Sequence, residues 1–324
     1  MRYFLIKNIA FFNQKYKSKN HANQHTMKKT LLITILVFSF TLFVNAQTKD
    51  TIIKKPVTFP KNYVAQLDVV YTNVKDWEGK TDLYLALSEP KPTPVIINIH
   101  GGGWKSGSKD TQGGFSAFFK AGFAVANMEY RMSGQAKAPA AIEDTRCMLV
   151  YLIRNAKKLN IDPNKIIIMG GSAGGHLALM GGLLGNDHRF DTNCLGTENI
   201  KVAAIIDKYG IMDVWDWTYG PDHKSSSPAA WLGDNLKNEA FIKSVSPITY
   251  VTKNSPPVFL VHGDADPTVP YRQSIELYKK LQELGVKSEL FTVPGGLHGK
   301  FEKDTNTEIN VAILKFIANL ESFK

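Results

Sequence analysis

Six short apolar runs, at residues 95–99, 123–128, 165–169, 202–206, 258–261 and 290–293, are separated by stretches whose apolar residues recur at helical spacing. A strand with one wet face would alternate polar and apolar, so runs this apolar require cover on both sides. The stretches between them can supply it. Pro139 opens a helix with Ile142, Leu149, Leu152, Ile153 and Ala156 on one face, and Pro270 opens another with Leu277, Tyr278, Leu281 and Leu284, ended by Gly285. Ile309, Ile313, Phe316, Ile317 and Leu320 line a closing helix. The pattern predicts an α/β fold: a mostly parallel twisted sheet with right-handed crossovers and helices on both faces. Ahead of it, Leu67, Val69 and Tyr71 alternate, as do Leu83, Leu85 and Leu87, with residues 76–80 between them. That reads as an N-terminal antiparallel hairpin.

The first 46 residues differ in kind. Seven basic residues and no acid precede position 47, and setting them aside reduces the formal charge from +10 to +3. So weak a field argues against a nucleic-acid partner. From Met27, two lysines, an apolar stretch at 31–44 and Val44-Asn45-Ala46 read as a signal peptide over residues 27–46. The stretch is shorter than the roughly 18–20 apolar residues of a spanning helix, so no stable membrane span is expected after cleavage. Export to the periplasm or beyond follows. Residues 1–26 precede a self-sufficient signal and read as an extra extension, with Met27 as the true start. From 47 to 324 no repeat or Pro/Gly/Ser-rich linker divides the chain, which predicts one domain. Cys147 and Cys194 could pair in an oxidising compartment, but their placement early in a helix and in a later loop favours two free thiols.

Four motifs fall at the ends of predicted strands. Gly170-Gly171-Ser172-Ala173-Gly174 follows the run 165–169 and opens a helix, the context in which a sharp turn lifts a serine hydroxyl clear of the sheet. His100-Gly101-Gly102-Gly103-Trp104 follows 95–99, and its glycines free backbone N–H groups to face a developing oxyanion. Gly102, Gly103 and Ala173 are the expected donors. A phosphate loop is excluded because no G-x-x-x-x-G-K-[ST] occurs, Val74 standing where Gly79-Lys80-Thr81 would need its first glycine. His262-Gly263-Asp264-Ala265-Asp266-Pro267 offers Asp266 as an acid and Asp264 as a turn stabiliser. It does not continue as a calcium ladder. Gly295-Gly296-Leu297-His298-Gly299 offers a loop histidine. Serine, acid and histidine thus occur in the order Ser172, Asp266, His298. His100, His176 and His262 read as hydrogen-bonding residues near strand ends, since no H-E-x-x-H or similar metal-ligand pair exists.

With these motifs, and with Tyr130-Arg131, Glu143-Asp144, Trp231-Leu232-Gly233 and Ser246-Pro247, the chain resembles the α/β-hydrolase superfamily from about residue 68 onward. Within it the likeness is to the esterase and lipase-like group that includes secreted feruloyl and acetyl-xylan esterases. The resemblance implies a serine carboxylic-ester hydrolase with Ser172 as nucleophile, His298 as base, Asp266 as the orienting acid, and the oxyanion held by Gly102, Gly103 and Ala173. It implies no metal or organic cofactor. The expected substrate is a small-molecule or oligosaccharide ester, with acetyl or feruloyl groups on plant polysaccharide favoured over general small esters. A peptidase would need an additional domain to restrict access, and a non-catalytic carbohydrate-binding protein would have lost a triad member. Trp104, Trp215, Trp217, Tyr219 and Trp231 are candidate pocket residues, with simple packing as the competing account. Residues 211–246 form the one segment long enough to cover the site. Arg131 and Asp144 are expected to form a buried structural pair.

Overall fold

Within single strands, neighbouring residues divide between two cores. In a computed structural model describing residues 56–87, 90–196, 198–222 and 225–324, Val95, Ile97 and Ile99 join one apolar cluster while Ile96 joins another. Ile166 and Ile168 likewise part from Ile167 and Met169, and Val258 and Leu260 from Phe259 and Val261. Side chains alternate across a strand, so apolar residues at every position force two covered faces. The readings placed at residues 1–26 and 27–46 lie outside the described residues.

In chain order the strands are β1 (Tyr63–Val74), β2 (Trp77–Ala86), β3 (Thr93–Ile99), β4 (Ala124–Met128), β5 (Ile161–Gly171), β6 (Ala204–Lys208), β7 (Val258–Gly263) and β8 (Ser288–Val293). The helices are α1 (Ser116–Lys120), α2 (Ala140–Leu159), α3 (Ala173–Leu183), α4 (Val214–Tyr219), α5 (Ser227–Leu232), α6 (Glu239–Ser244), α7 (Arg272–Glu283) and α8 (Lys303–Ala318). The strands form one sheet in the order β1-β2-β4-β3-β5-β6-β7-β8, antiparallel at β1/β2 and β2/β4 and parallel from β4 onward. The core with Leu149, Leu177 and Leu281 covers one face, and the core with Phe118, Ile313 and Phe316 covers the other. Among the described residues no helix is long and apolar enough to cross a membrane.

The order reverses at β3, because the chain leaves it for β4 on one side and returns to β5 on the other. The carboxyl ends of β3 and β5 therefore border a crevice, the usual place for a ligand in such sheets.

Three expectations are corrected. The hairpin turn is only Lys75-Asp76, since β2 already begins at Trp77. The alternation in β1 also breaks: a register shift between Gln66 and Val69, with Asp68 at φ 54°, leaves Leu67 exposed. An extra residue in one strand changes which face its neighbours occupy. Finally, Cys147 and Cys194 form a disulfide, because the segment after α3 folds back onto α2. Arg146 to Asp191 (2.7 Å) and Asn193 to Glu143 (3.0 Å) tie the same segment down. The expected pair is present too, with Arg131 donating to Asp144 from Nε and from its backbone N–H at 2.9 and 2.7 Å.

Candidate active site

At the end of β5 the backbone turns sharply into α3, and Ser172 at the turn has φ 57° and ψ −123°. A non-glycine residue is rare in that region and is held there by its surroundings. The neighbouring glycines show what holds it. A Cβ on Gly170 would lie 2.2 Å from the Gly174 carbonyl oxygen, and one on Gly174 would lie 2.2 Å from that of Ile99. Helix, turn and β3 approach too closely for any larger residue.

The loop after β8 carries His298 to this turn. Its Nε2 lies 2.8 Å from Ser172 Oγ and its Nδ1 lies 2.7 Å from Asp266 Oδ2. Asp266 arrives on the loop between β7 and α7, with its side chain fully buried. Its Oδ1 accepts the N–H groups of Thr268 (2.7 Å) and Val269 (3.0 Å), and its Oδ2 lies 3.2 Å from His262 Nε2. Burial would raise this carboxyl, but the bonds from His262, His298 and the Thr268 N–H outweigh it and hold the group well below the ordinary carboxylate range. An ionised Asp266 only accepts, so Nδ1 of His298 carries the proton and Nε2 accepts from the Ser172 hydroxyl. Asp264, by contrast, is exposed and accepts the Gly295 N–H at 2.6 Å, bracing the histidine loop.

Two further residues support the site: His262, expected as a hydrogen-bonding residue near a strand end, and Glu129, which the motif reading missed. His262 is buried, with Nδ1 on Ser274 Oγ (2.7 Å) and Nε2 on the Val269 carbonyl (3.0 Å), and so fixes the acid loop from beneath. Its place in the H-G-D-x-D run was a signal, but its partners lie on α7 and the loop. Glu129, just past β4, accepts from the Lys109 N–H (3.0 Å) and stands 3.1 Å from His100 Nε2, clamping the glycine loop. No local motif marks Glu129.

In that loop Gly102 has φ 114° and Gly103 has φ 60°. A Cβ on Gly102 would lie 1.9 Å from the Ser106 carbonyl oxygen. Among the described residues no backbone carbonyl takes the N–H of Gly102, Gly103 or Ala173. Three of the four motifs line one cavity of about 600 Å³, through Gly102, Gly103, Ser172 and His298 among others, and Thr268, just past the motif that carries Asp266, joins them. Unspent donors beside a serine paired to a histidine can stabilise the oxyanion of a tetrahedral adduct.

The aromatic residues divide. Trp217 lines the cavity, donating its Nε1–H to the Thr268 carbonyl at 3.0 Å. Trp104 and Trp231 do not line it: they stack at 4.1 Å, fully buried, with His176 edge-on to both. Burial pushes the His176 imidazole down to about 4 against the effect of its bond to the Val245 carbonyl, so this histidine is a neutral packing residue. Trp215 and Tyr219 pack on each other at 4.6 Å outside the cavity lining, Tyr219 being exposed. Residues 211–246 contribute α4, α5 and α6, and bring Trp217, Ser225 and Ser227 to the cavity. Among the described residues no group of His, Cys, Asp and Glu is placed to hold a metal ion.

Comparison with known proteins agrees with this architecture. The chain is 28% identical to a solved structure described as a truncated form of carbohydrate esterase from gut microbiota, with a TM-score of 0.70 over 82% of this chain and all of that one. It is 26% identical to an acetyl ester-xyloside bifunctional hydrolase from Caldicellulosiruptor lactoaceticus, with a TM-score of 0.62 over 76% of this chain and 90% of that one. Esterase LipC of Mycobacterium tuberculosis is 29% identical over 64% of this chain and 53% of its own length. The chain spans about half the length of the curated relatives it matches first. The fold is that of the α/β-hydrolases. Residues 81–281, more than half of the sequence, match the family model BD-FAE, and the chain belongs to that family.

Proposed function

We propose that the protein is an exported serine carboxylic-ester hydrolase that removes acetyl or feruloyl groups from plant polysaccharide or its oligosaccharides. The observation that carries the reading is the unbroken line from Asp266 through His298 to Ser172 Oγ at a cavity mouth. In the reaction, His298 Nε2 takes the hydroxyl proton as Oγ bonds to the ester carbonyl carbon, and the oxyanion is held by the N–H groups of Gly102, Gly103 and Ala173. Collapse expels the alcohol, which takes the proton from His298, leaving an acyl group on Ser172. Water then enters, gives a proton to the same histidine, and releases the acid and free serine.

Several relatives are named esterases, and one similar structure is named for an acetyl ester-xyloside activity. Trp217 in the lining suits a sugar or aryl face. Export rests on residues 27–46, with residues 47–324 as the mature domain. The Cys147–Cys194 disulfide supports it, because such bonds persist in oxidising compartments.

Ser172→Ala is expected to lower kcat by about 10⁶ with the fold unchanged, and an active-site phosphonate to label Ser172 alone. Labelling of another serine, or substantial turnover in the variant, would sink the assignment. Acetylated xylan, methyl ferulate and a dipeptide amide assayed side by side test the substrate. Turnover of short soluble esters only would point instead to a general carboxylesterase.

A further inference from the structure

Two lysines drawn in from solvent, Lys109 buried and Lys208 half-buried, are treated in opposite ways. Lys109 is held by Asp68, Asp82 and Asp110 at 2.8, 2.9 and 3.1 Å. Lys208, half-buried at the carboxyl end of β6, has no hydrogen bond or ion pair at its amine among the described residues, yet it lines the cavity that holds Ser172. Its backbone is fixed against the nucleophile, since its carbonyl accepts the Ser172 N–H at 2.9 Å. Burial without a partner pushes the ammonium down to about 8.

The rest of the lining has the same electrostatic sense. It includes Lys105 but no Asp or Glu, and the free N–H groups of the glycine loop add partial positive charge. The next residue, Tyr209, also lines the cavity and is held at φ 45°, a conformation rare for a bulky residue. Its ring packs edge-on to His298 at 5.0 Å. Its hydroxyl stands where a Cβ on Gly171 or Gly299 would meet it at 2.9 or 2.6 Å, and has no hydrogen-bond partner among the described residues.

We propose that the Lys208 amine and the Tyr209 hydroxyl form an anion-accepting subsite beside Ser172, so that the preferred ester carries a carboxylate near the scissile bond. The inference rests on the ester-hydrolase reading and narrows its substrate class. A carboxylate accepts from both donors and relieves a desolvated cation that has no partner among the described residues. The carboxylate could belong to either half of the ester: a dicarboxylic half-ester places it on the acyl side, an acetylated uronic acid on the alcohol side.

Two substrate pairs separate these sources: monoethyl succinate against ethyl pentanoate, and acetylated glucuronic acid against acetylated methyl glucoside. The wild-type protein is expected to favour the carboxylate-bearing member of one pair in kcat/KM, and that pair identifies the side. Lys208→Met is expected to reduce the preference about 10- to 100-fold, mainly through KM, and Lys208→Arg to restore part of it. No preference in either pair overturns the subsite even if the Met variant fails to fold. An equal loss on both members also overturns it, because the lysine then serves the fold or the oxyanion instead. Neutral esters hydrolysed without preference would leave the proposed function standing. Absence of any ester hydrolysis would overturn both.

Discussion

Asp207 and Asp266 stand at the carboxyl ends of adjacent strands, both with buried side chains, and the protein treats them in opposite ways. Asp266 is met by four donors and held below the ordinary carboxylate range. Asp207 packs against Gly175 and Gly210 with its Oδ1 unpartnered, and burial raises it to about 7 although the Gly210 N–H opposes the shift. Position at a strand end therefore does not make an acid useful to a histidine. What distinguishes Asp266 is a loop that turns backbone N–H groups and His262 inward, keeping the carboxylate ionised and aimed at His298 Nδ1. Asp207 packs against Gly175 of α3, and among the described residues no histidine is bonded to it.

The largest expected effect lies in catalysis. Asp266→Asn should lower kcat by about 10⁴, because the amide cannot hold the tautomer that accepts the serine proton. Asp207→Asn should keep kcat within about tenfold. Steady-state assays of the two purified variants decide the point, and comparable losses would erase the distinction drawn here.

Stability against pH should separate them next, with opposite signs. Asp207 binds its proton more tightly when folded, so its contribution is complete below the unfolded value near 4 and is lost as pH rises toward 7. Denaturant unfolding at pH 5 and pH 8 should therefore show Asp207→Asn gaining on wild type at the higher pH, by roughly 2–4 kcal/mol. Asp266 is shifted the other way: its contribution is present above the unfolded value and is lost as pH falls toward the folded one. The deficit of Asp266→Asn should accordingly shrink between pH 5 and pH 3. A gap independent of pH in either variant would show that the shift assigned to that carboxyl is wrong.

The smallest effect is expected at Asp264, whose exposed carboxylate braces the histidine loop through one N–H. Asp264→Asn should cost about 1 kcal/mol of stability and little turnover. A fall in kcat matching that of Asp266→Asn would move the orienting role to the neighbouring residue.

Much of the architecture was legible because it depends on local regularities. Runs such as 95–99 and 165–169, apolar on both faces, leave a covered sheet as the way to bury every residue, and the spacing of Ile142, Leu149, Leu152 and Ala156 leaves a helix to cover it. The glycines around Ser172 were legible for a similar reason, since a strand turning directly into a helix leaves no room for a Cβ. Phase was less secure: one inserted residue near Asp68 was enough to turn Leu67 outward.

By itself, then, the sequence determined the covered sheet, the succession of its parallel strands along the chain and the turn that presents Ser172, because these follow from periodicity and from steric demands within a few residues. Tertiary structure decided everything that depends on which distant groups share a small volume. It paired Cys147 with Cys194 across α2 and the segment that folds back on it. It sent Trp104 and Trp231 into the core while leaving Trp217 in the cavity. It also surrounded Asp266 with donors, left Asp207 short of them, and placed Lys208, without a partner among the described residues, beside the nucleophile. The physical reason is common to all of these. Burial and hydrogen bonding set the charge and reach of a side chain, and both are properties of neighbours brought together from tens of residues away.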